Sequence, residues 1–153
     1  MKWFLSFLLI SGLWGANPEL LKVKSVYLLP MASGLDQYLA NALQTGGLYV
    51  VVTDPATADA VFTDSIGPAF ERKWNDLYPP EKTEEDEEEN PRTEAAAPAS
   101  TFRRGRGVVF LVERKSKQVV WSTFAPARDA RPSTIDKTAQ TIATRLKKDL
   151  GGK

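Results

Sequence analysis

Two neighbouring apolar runs around position 115 carry the strongest strand pattern in the chain. Residues 107–113 read Gly-Val-Val-Phe-Leu-Val-Glu and residues 118–124 read Gln-Val-Val-Trp-Ser-Thr-Phe, with Arg-Lys-Ser-Lys between them. β-Branched and aromatic residues suit a pleated surface, and a charged connection of this length lets the chain reverse, so the pattern predicts a β-hairpin. Apolar side chains alternate to both sides of the first run, which predicts a strand inside a sheet.

The first half of the chain alternates between strand and helix patterns. Residues 23–29 and 48–53 are predicted strands, and apolar residues recur at helical spacing between them. Ser33 is the predicted start of that helix, with Asp36 at the spacing of a capping box, and Gly46 follows its end. A strand, a helix and a second strand joined in this way predict a parallel crossover.

Three further elements complete the predicted fold. After an Asp54-Pro55 turn, residues 60–66 form a third strand, and residues 70–78 form a short helix that ends at two prolines. An amphipathic helix capped by Ser133 ends the chain. The prediction is an α+β domain with a mixed sheet of about five strands. Its order is β-α-β-β-(insert)-β-β-α, with the two main helices on one face of the sheet.

Residues 79–106 do not resemble part of a core. Seven acidic residues lie among positions 81–89, followed by Asn-Pro and a stretch of Ala, Pro and Ser. Such a segment has little apolar surface to offset the entropy of ordering, so we predict a disordered insert. Residues 17–78 and 107–153 are then two parts of one domain, a size at which a single core is sufficient.

Residues 1–16 have the pattern of a secretory signal peptide. Lys2 supplies a positive charge, Trp3 to Trp14 is mainly apolar, and Gly15-Ala16 are small residues suited to cleavage. Twelve residues are well short of the roughly 20 that span a bilayer, which disfavours a permanent anchor. We therefore predict export to the periplasm or beyond the cell; a buried amino-terminal helix is the competing interpretation.

The absence of cysteine and histidine narrows the chemistry. Without cysteine there is no disulfide, thiolate ligand or cysteine nucleophile, and without histidine the commonest general base at neutral pH is missing. These absences exclude histidine triads and disfavour zinc hydrolysis and most transition-metal sites. We predict no catalytic residue, no cofactor and no metal.

A few side chains could still take part in catalysis. They are the carboxylates of Asp54, Asp59 and Asp64, and the hydroxyl–amine pair of Thr134 and Lys137. Their spacing matches no catalytic motif, and spaced aspartates are common in soluble domains. An enzyme that uses carboxylates or a Ser/Thr-Lys pair is the least favoured functional hypothesis.

The charges are distributed asymmetrically along the chain. Residues 17–100 contain six basic and fifteen acidic residues, whereas residues 101–153 contain thirteen basic and four acidic ones. The sharper interpretation is a polyanion site, for an anionic lipid or glycan, formed by Arg103, Arg104, Arg106, Arg114 and Lys117. The simpler interpretation is attraction between these residues and the acidic insert. No recognition motif accompanies the basic residues, so no nucleic-acid partner is predicted.

The order of elements resembles that of small α/β domains in bacterial envelope proteins. The resemblance depends on three features in order. They are the segment Ala58-Asp59-Ala60-Val61-Phe62-Thr63, then a strand, a charged turn and Gln118-Val119-Val120-Trp121, and then a terminal amphipathic helix. In this order they are similar to the TolB amino-terminal domain, CsgG-like proteins and related uncharacterised lipoproteins. The resemblance implies a mixed sheet and a role in envelope assembly or binding without catalysis. This chain lacks the lipobox cysteine and has Ser116 where a glycine often helps the turn.

The leading functional hypothesis is an exported interaction module that binds an envelope protein or a second copy of itself. If both main helices cover one face of the sheet, the apolar residues of the other face need cover from residues 70–78, a second copy or a partner. The predicted partner face consists of Tyr49, Val51, Val109 and Leu111. Membrane association is left open.

Overall fold

The structure, a computed structural model, describes residues 17–80 and 107–151. The strands are β1 (Ser25–Leu28), β2 (Val50–Val51), β3 (Ala60–Thr63), β4 (Val108–Glu113) and β5 (Val119–Phe124). The α-helices of the described ranges are α1 (Pro18–Lys22), α2 (Leu35–Thr45), α3 (Pro68–Leu77) and α4 (Pro132–Asp149). The predicted α+β class and the order of the main elements are confirmed. The sequence patterns missed α1, a single short turn of helix.

The five strands form one mixed sheet in the order β2-β1-β3-β4-β5. β1 pairs in parallel with β2 and β3, whereas β3 with β4 and β4 with β5 are antiparallel pairs. The predicted parallel crossover and hairpin are therefore present. The pairing of β3 with β4 joins strands from both described ranges, so the sheet is built from residues on either side of positions 81–106.

Three helices cover one face of the sheet. We call this cluster the α2/α4 core; its fully buried large residues include Leu20 of α1, Leu39 and Leu43 of α2, Ile142 and Leu146 of α4, and Val26, Phe62 and Leu111 of the sheet. The Phe62 ring lies 6.4 Å, between centroids, from the rings of both Tyr49 and Trp121. The two long helices thus share one face, as predicted.

Helix α3 covers the centre of the opposite face. We call this smaller cluster the α3 core; it consists of Leu29, Val61, Phe70, Trp74 and Val112. Phe70 and Trp74 are one helical turn apart and project to the same side, with ring centroids 5.2 Å apart. The strand members come from β3, β4 and the residue that follows β1, so neither edge strand contributes to this core.

The prediction of a partner face is wrong. Tyr49, Val109 and Leu111 are buried in the α2/α4 core, and Val51 is partly buried against it. Leu111 pairs with Phe62, which places both side chains beneath the two long helices. A strand that is apolar on both faces does not reveal which face receives which helix, and a shift of one position reverses the assignment.

Two predicted helix caps differ in the structure. Ser33 has a φ of 58° and precedes α2, whose N-cap is Gly34. The Asp36 carboxylate does reach backward, but it accepts a 3.0 Å hydrogen bond from the backbone N–H of Met31. Helix α4 begins at Pro132 after Arg131, so Ser133 lies inside its first turn and is not the cap. The rigid φ of proline suits this first helical position better than a serine cap one residue later.

A β-bulge interrupts the alternation of β5. Leu111 pairs with Trp121 and Val112 pairs with Val119, so Val120 is the extra residue. Both Val120 and Trp121 are buried in the α2/α4 core. The bulge therefore returns Val119 to the α3 side of the sheet, a change that strict alternation does not predict.

Gly107 begins the second described range and leads into β4. Its φ is 91°, and a Cβ built on it would overlap the carbonyl oxygen of Ala125. Its carbonyl accepts a 2.6 Å hydrogen bond from the N–H of Ala125. Only glycine allows this approach of the backbone at the end of β5.

Candidate functional site

The three aspartates that could have supplied carboxylate chemistry bind backbone amides of different segments. Asp54 accepts from the N–H of Ala56 at 2.9 Å and caps a short 3-10 turn, as the Asp-Pro pattern predicts. Asp64 accepts from the N–H of Ala32 at 2.8 Å and holds the loop before α2. These contacts give both carboxylates a role in holding loops.

Asp59 ties the starts of two strands together. Its Oδ2 accepts hydrogen bonds from the N–H groups of Lys24 and Ser25, both at 3.0 Å. Burial alone would raise the pKa of this carboxyl, but the backbone and side-chain hydrogen bonds, together with the Arg114 charge, lower it on balance. The lowered pKa means that the carboxylate stays ionised further into the acid range than an ordinary aspartate.

Thr134 and Lys137 lie on α4, on a different element from the aspartates. Lys137 is exposed, and its carbonyl accepts a 2.9 Å hydrogen bond from the hydroxyl of Thr141. Thr134 lies near the start of the helix, where its side chain is a hydrogen-bond partner of Asp129 and lowers the pKa of that carboxyl. Within residues 17–80 and 107–151, no ion pair joins Lys137 to an aspartate.

Arg114 of the hairpin is directed toward the end of α3. Its Nη1 donates to the carbonyl of Ala56 at 2.7 Å, and its guanidinium carbon lies 5.8 Å from the centre of the Tyr78 ring. Tyr78 in turn donates its hydroxyl to the carbonyl of Pro55 at 2.7 Å. Arg114 thus fastens the hairpin to the loop before β3 and to α3.

Lys117 binds the same helix from the other side of the hairpin turn. Its Nζ lies 5.7 Å from the centre of the Trp74 ring and 3.9 Å from a carboxylate oxygen of Glu71. The remaining members of the predicted polyanion set, Arg103, Arg104 and Arg106, lie outside the described residues. One basic patch made of all five residues stays a prediction, and its two described members both contact α3.

An open groove of about 510 Å³ lies where α1 meets the hairpin turn. Its charged lining residues are Glu19, Lys22, Asp59, Glu113, Arg114 and Lys115. The positive and negative groups are equal in number, and hydrogen bonds from Ser116 lower the pKa of Glu113 despite its partial burial. A groove lined by equal numbers of positive and negative groups does not concentrate one charge toward a polyanion or a reacting group.

Two of the five large apolar side chains that are exposed in the described residues, Val119 and Phe124, belong to a surface on the α3 side of the edge strand β5. We call this surface the β5 strip; it consists of Val119, Ser122 and Phe124. Val119 pairs with Val112 of the α3 core, and Ser122 pairs with Phe110, which packs against that core. Phe124 follows on the same side, two residues further on. Val119 is 46% exposed and Phe124 is 59% exposed, because α3 ends its cover at β4.

Sequence reasoning found β5 but not this surface. The bulge and the position of α3 decide which side chains of β5 stay uncovered, and neither is written in the periodicity of one strand. One signal was available. Phe124 is the last residue of the predicted strand and directly precedes the predicted loop 125–132. An aromatic side chain at the end of a strand, followed by a loop and not by a helix, is a candidate for exposure.

The described residues contain no metal centre or membrane helix that would add another candidate. No group of three or more acidic side chains within these ranges could hold a metal ion. None of the described helices has the length and hydropathy needed to cross a bilayer.

Comparison with models of protein families, with curated proteins and with solved structures found no match to this chain. The resemblance to envelope domains therefore stays a prediction from the order of elements. The surface itself has to carry the functional interpretation.

Proposed function

We propose that this protein is an exported, non-catalytic interaction module of the bacterial cell envelope. The observation that carries the proposal is the β5 strip, an apolar surface on an edge strand that the helices of the described residues leave uncovered. An edge strand with exposed apolar side chains on one side offers another chain both free backbone groups and apolar surface to cover.

The polar residues support contact in preference to turnover. Asp54, Asp59 and Asp64 each bind backbone amides, and Arg114 and Lys117 each contact α3. A catalytic site needs groups that converge on one point from which water can be excluded. In the described residues each of these groups instead contacts a loop, the hairpin or the end of α3.

Export is proposed from the sequence of residues 1–16, which lie outside the described residues. Fractionation of cells that produce the full chain tests this part. We expect the protein in the envelope or medium, with a mass that corresponds to cleavage after Gly15 or Ala16. An unprocessed chain confined to the cytosol would contradict it.

Site-specific photo-cross-linking tests the contact itself. A benzoyl-phenylalanine replaces Phe124 in one variant of the full chain and Thr141 in a matched control, since Thr141 is exposed on the polar side of α4. We expect a covalent adduct from position 124 in living cells and none from position 141. No adduct from position 124, or equal adducts from both, would contradict a role in binding through this surface.

A further inference from the structure

The outer edge of β5 is far longer than the edge at the other end of the sheet. β5 contains six residues and β2 contains two. At the short edge, the side chain of Gln44 lies 3.4 Å from the outward N–H of Val51 and helps to close it. A long edge strand offers a row of backbone donors and acceptors to another strand, so β5 is the edge on which a further strand could pair.

The register shows which backbone groups of β5 point outward. The hydrogen bond from Ala125 N–H to the Gly107 carbonyl brackets the pair Val108–Phe124, so the amide and carbonyl of Phe124 point away from β4. Alternation gives Ser122 the same direction. The outward carbonyl of Val120 is identified directly by the 3.0 Å hydrogen bond that it accepts from Asn17 Nδ2.

Side chains cap this edge at both ends but not at its centre. Asn17 donates to the Val120 carbonyl, and Arg145 donates to the Phe124 carbonyl at 2.6 Å. In the described chain, the outward amide and carbonyl of Ser122 have no such cap. Ser122, midway between the two caps, therefore has both of its outward groups free, and each capped carbonyl keeps a second lone pair for another donor.

We propose that this edge pairs antiparallel with the β5 edge of a second copy of the chain, with Ser122 opposite its equivalent. This inference rests on the proposed function and names its partner. An antiparallel pair with a two-fold axis at Ser122 exchanges two hydrogen bonds between the two Ser122 residues. It also brings Phe124 of each copy beside Val119 of the other, so the two exposed apolar residues of β5 cover each other.

The self-complementarity of the strand selects a second copy over an unrelated strand. Val119 and Phe124 stand on the same side of the sheet and on opposite sides of Ser122. Only the antiparallel arrangement matches each with the other, as an isologous contact requires. A contact of one short strand belongs to the small class of interfaces, and we expect a dissociation constant on the order of 10⁻⁴ M.

Sedimentation of the purified full chain between about 10 µM and 1 mM tests the inference. The wild type should pass from monomer toward dimer over this range, on the order expected for a weak interface. Ser122→Pro removes the central outward N–H without touching the ladder to β4 and should remain monomeric. Ser122→Lys places two like charges opposite each other and should also remain monomeric, which keeps the test valid if the proline variant misfolds.

Val50→Lys is the matched control, since Val50 is 60% exposed on the opposite edge of the sheet. This variant should associate like the wild type. A wild type that stays monomeric to 1 mM, or a dimer that both Ser122 variants retain, would overturn the inference. A monomer whose position 124 cross-links to a different protein would also overturn it while leaving the proposed function in place.

Discussion

The two faces of the sheet are covered in different ways. On one side, α1, α2 and α4 lie over a core that reaches from Tyr49 beside β2 to Trp121 on β5. On the other side, α3 is the one helix among residues 17–80 and 107–151 that covers β1, β3 and β4, and the edge residues Val50, Val119 and Phe124 stay exposed. The first face therefore supplies most of the stability, and the second leaves surface available for contact.

The difference follows from helix length as well as helix number. α4 contains eighteen residues and α3 contains ten, so α3 is about 15 Å long at the rise of an α-helix. Strands lie nearly 5 Å apart, and a single helix is about 10 Å wide, so one helix covers two or three strands of five. Substitutions on the two faces should consequently differ in how much they lower the free energy of unfolding and in how much of the fold they affect.

The largest effect is expected at the centre of the α2/α4 core. Phe62→Ala removes a fully buried ring that lies between Tyr49 and Trp121, and should lower the free energy of unfolding by about 3 to 5 kcal/mol. Urea denaturation measures this loss. Phe124→Ala is the matched control and should cost about 0.5 kcal/mol or less, because its ring is already exposed. Equal losses would remove the distinction between the faces.

A somewhat smaller effect is expected on the α3 face. Trp74 is buried and contacts Phe70 and Tyr78, so Trp74→Ala should cost about 3 kcal/mol. Hydrogen exchange should show the loss mainly as opening of α3, with α2 and α4 still protected at moderate destabilisation. If α2 and α4 lost protection together with α3, the two faces would form a single cooperative unit and the comparison would fail.

A pH effect is expected where Asp59 holds the starts of β1 and β3. Its lowered pKa means that its contribution is present above the unfolded-state value of about 4 and is lost as the pH falls through the folded-state value. Asp59→Asn should therefore lower the free energy of unfolding at pH 7 by about 1 kcal/mol at most, since solvent screens this exposed group. Between pH 7 and pH 3, the variant should lose less stability than the wild type. Unfolding in urea at the two pH values measures the difference. Asn75→Ala, an exposed change on α3 at a residue that does not titrate, should instead keep the wild-type pH dependence.

The smallest effect is expected from the hairpin contact with α3. Lys117→Ala removes the cation from above Trp74 and from beside Glu71, and should cost less than about 1 kcal/mol. Added salt should lower the free energy of unfolding of the wild type toward that of the variant, because it screens the charges. A loss as large as that of Trp74→Ala would show that the hairpin, and not the helix, holds this face together.

Much of the fold could be predicted from the sequence, because most elements have clear local patterns of apolar and polar residues. The hairpin runs, the apolar stripe of α4 and the Asp54-Pro55 turn were all predictable from local patterns. The assignment of Val109 and Leu111 to the wrong face was not a failure of periodicity. Both sides of β4 are apolar, and only tertiary packing decides which side meets the long helices.

The candidate surface was less predictable than the fold for the same reason. Val119 faces α3 only because Val120 is a bulge, and Phe124 is exposed only because α3 stops short of β5. Both facts are relations between distant parts of the chain. The polar candidates differ in the opposite direction. From the sequence, Asp59 and Arg114 are available for catalysis or ligand binding, but in the structure both bind backbone atoms of other segments.

The exchange rate of the Ser122 amide proton tests the central claim most directly. In the isotope-labelled chain, exchange at Ser122 should slow by about threefold between 20 µM and 1 mM, because pairing of β5 with a second copy protects this outward group. The outward amide of Val51 on the opposite edge should show no change over the same range. Exchange at Ser122 that does not depend on concentration, or equal slowing at both amides, would contradict the account.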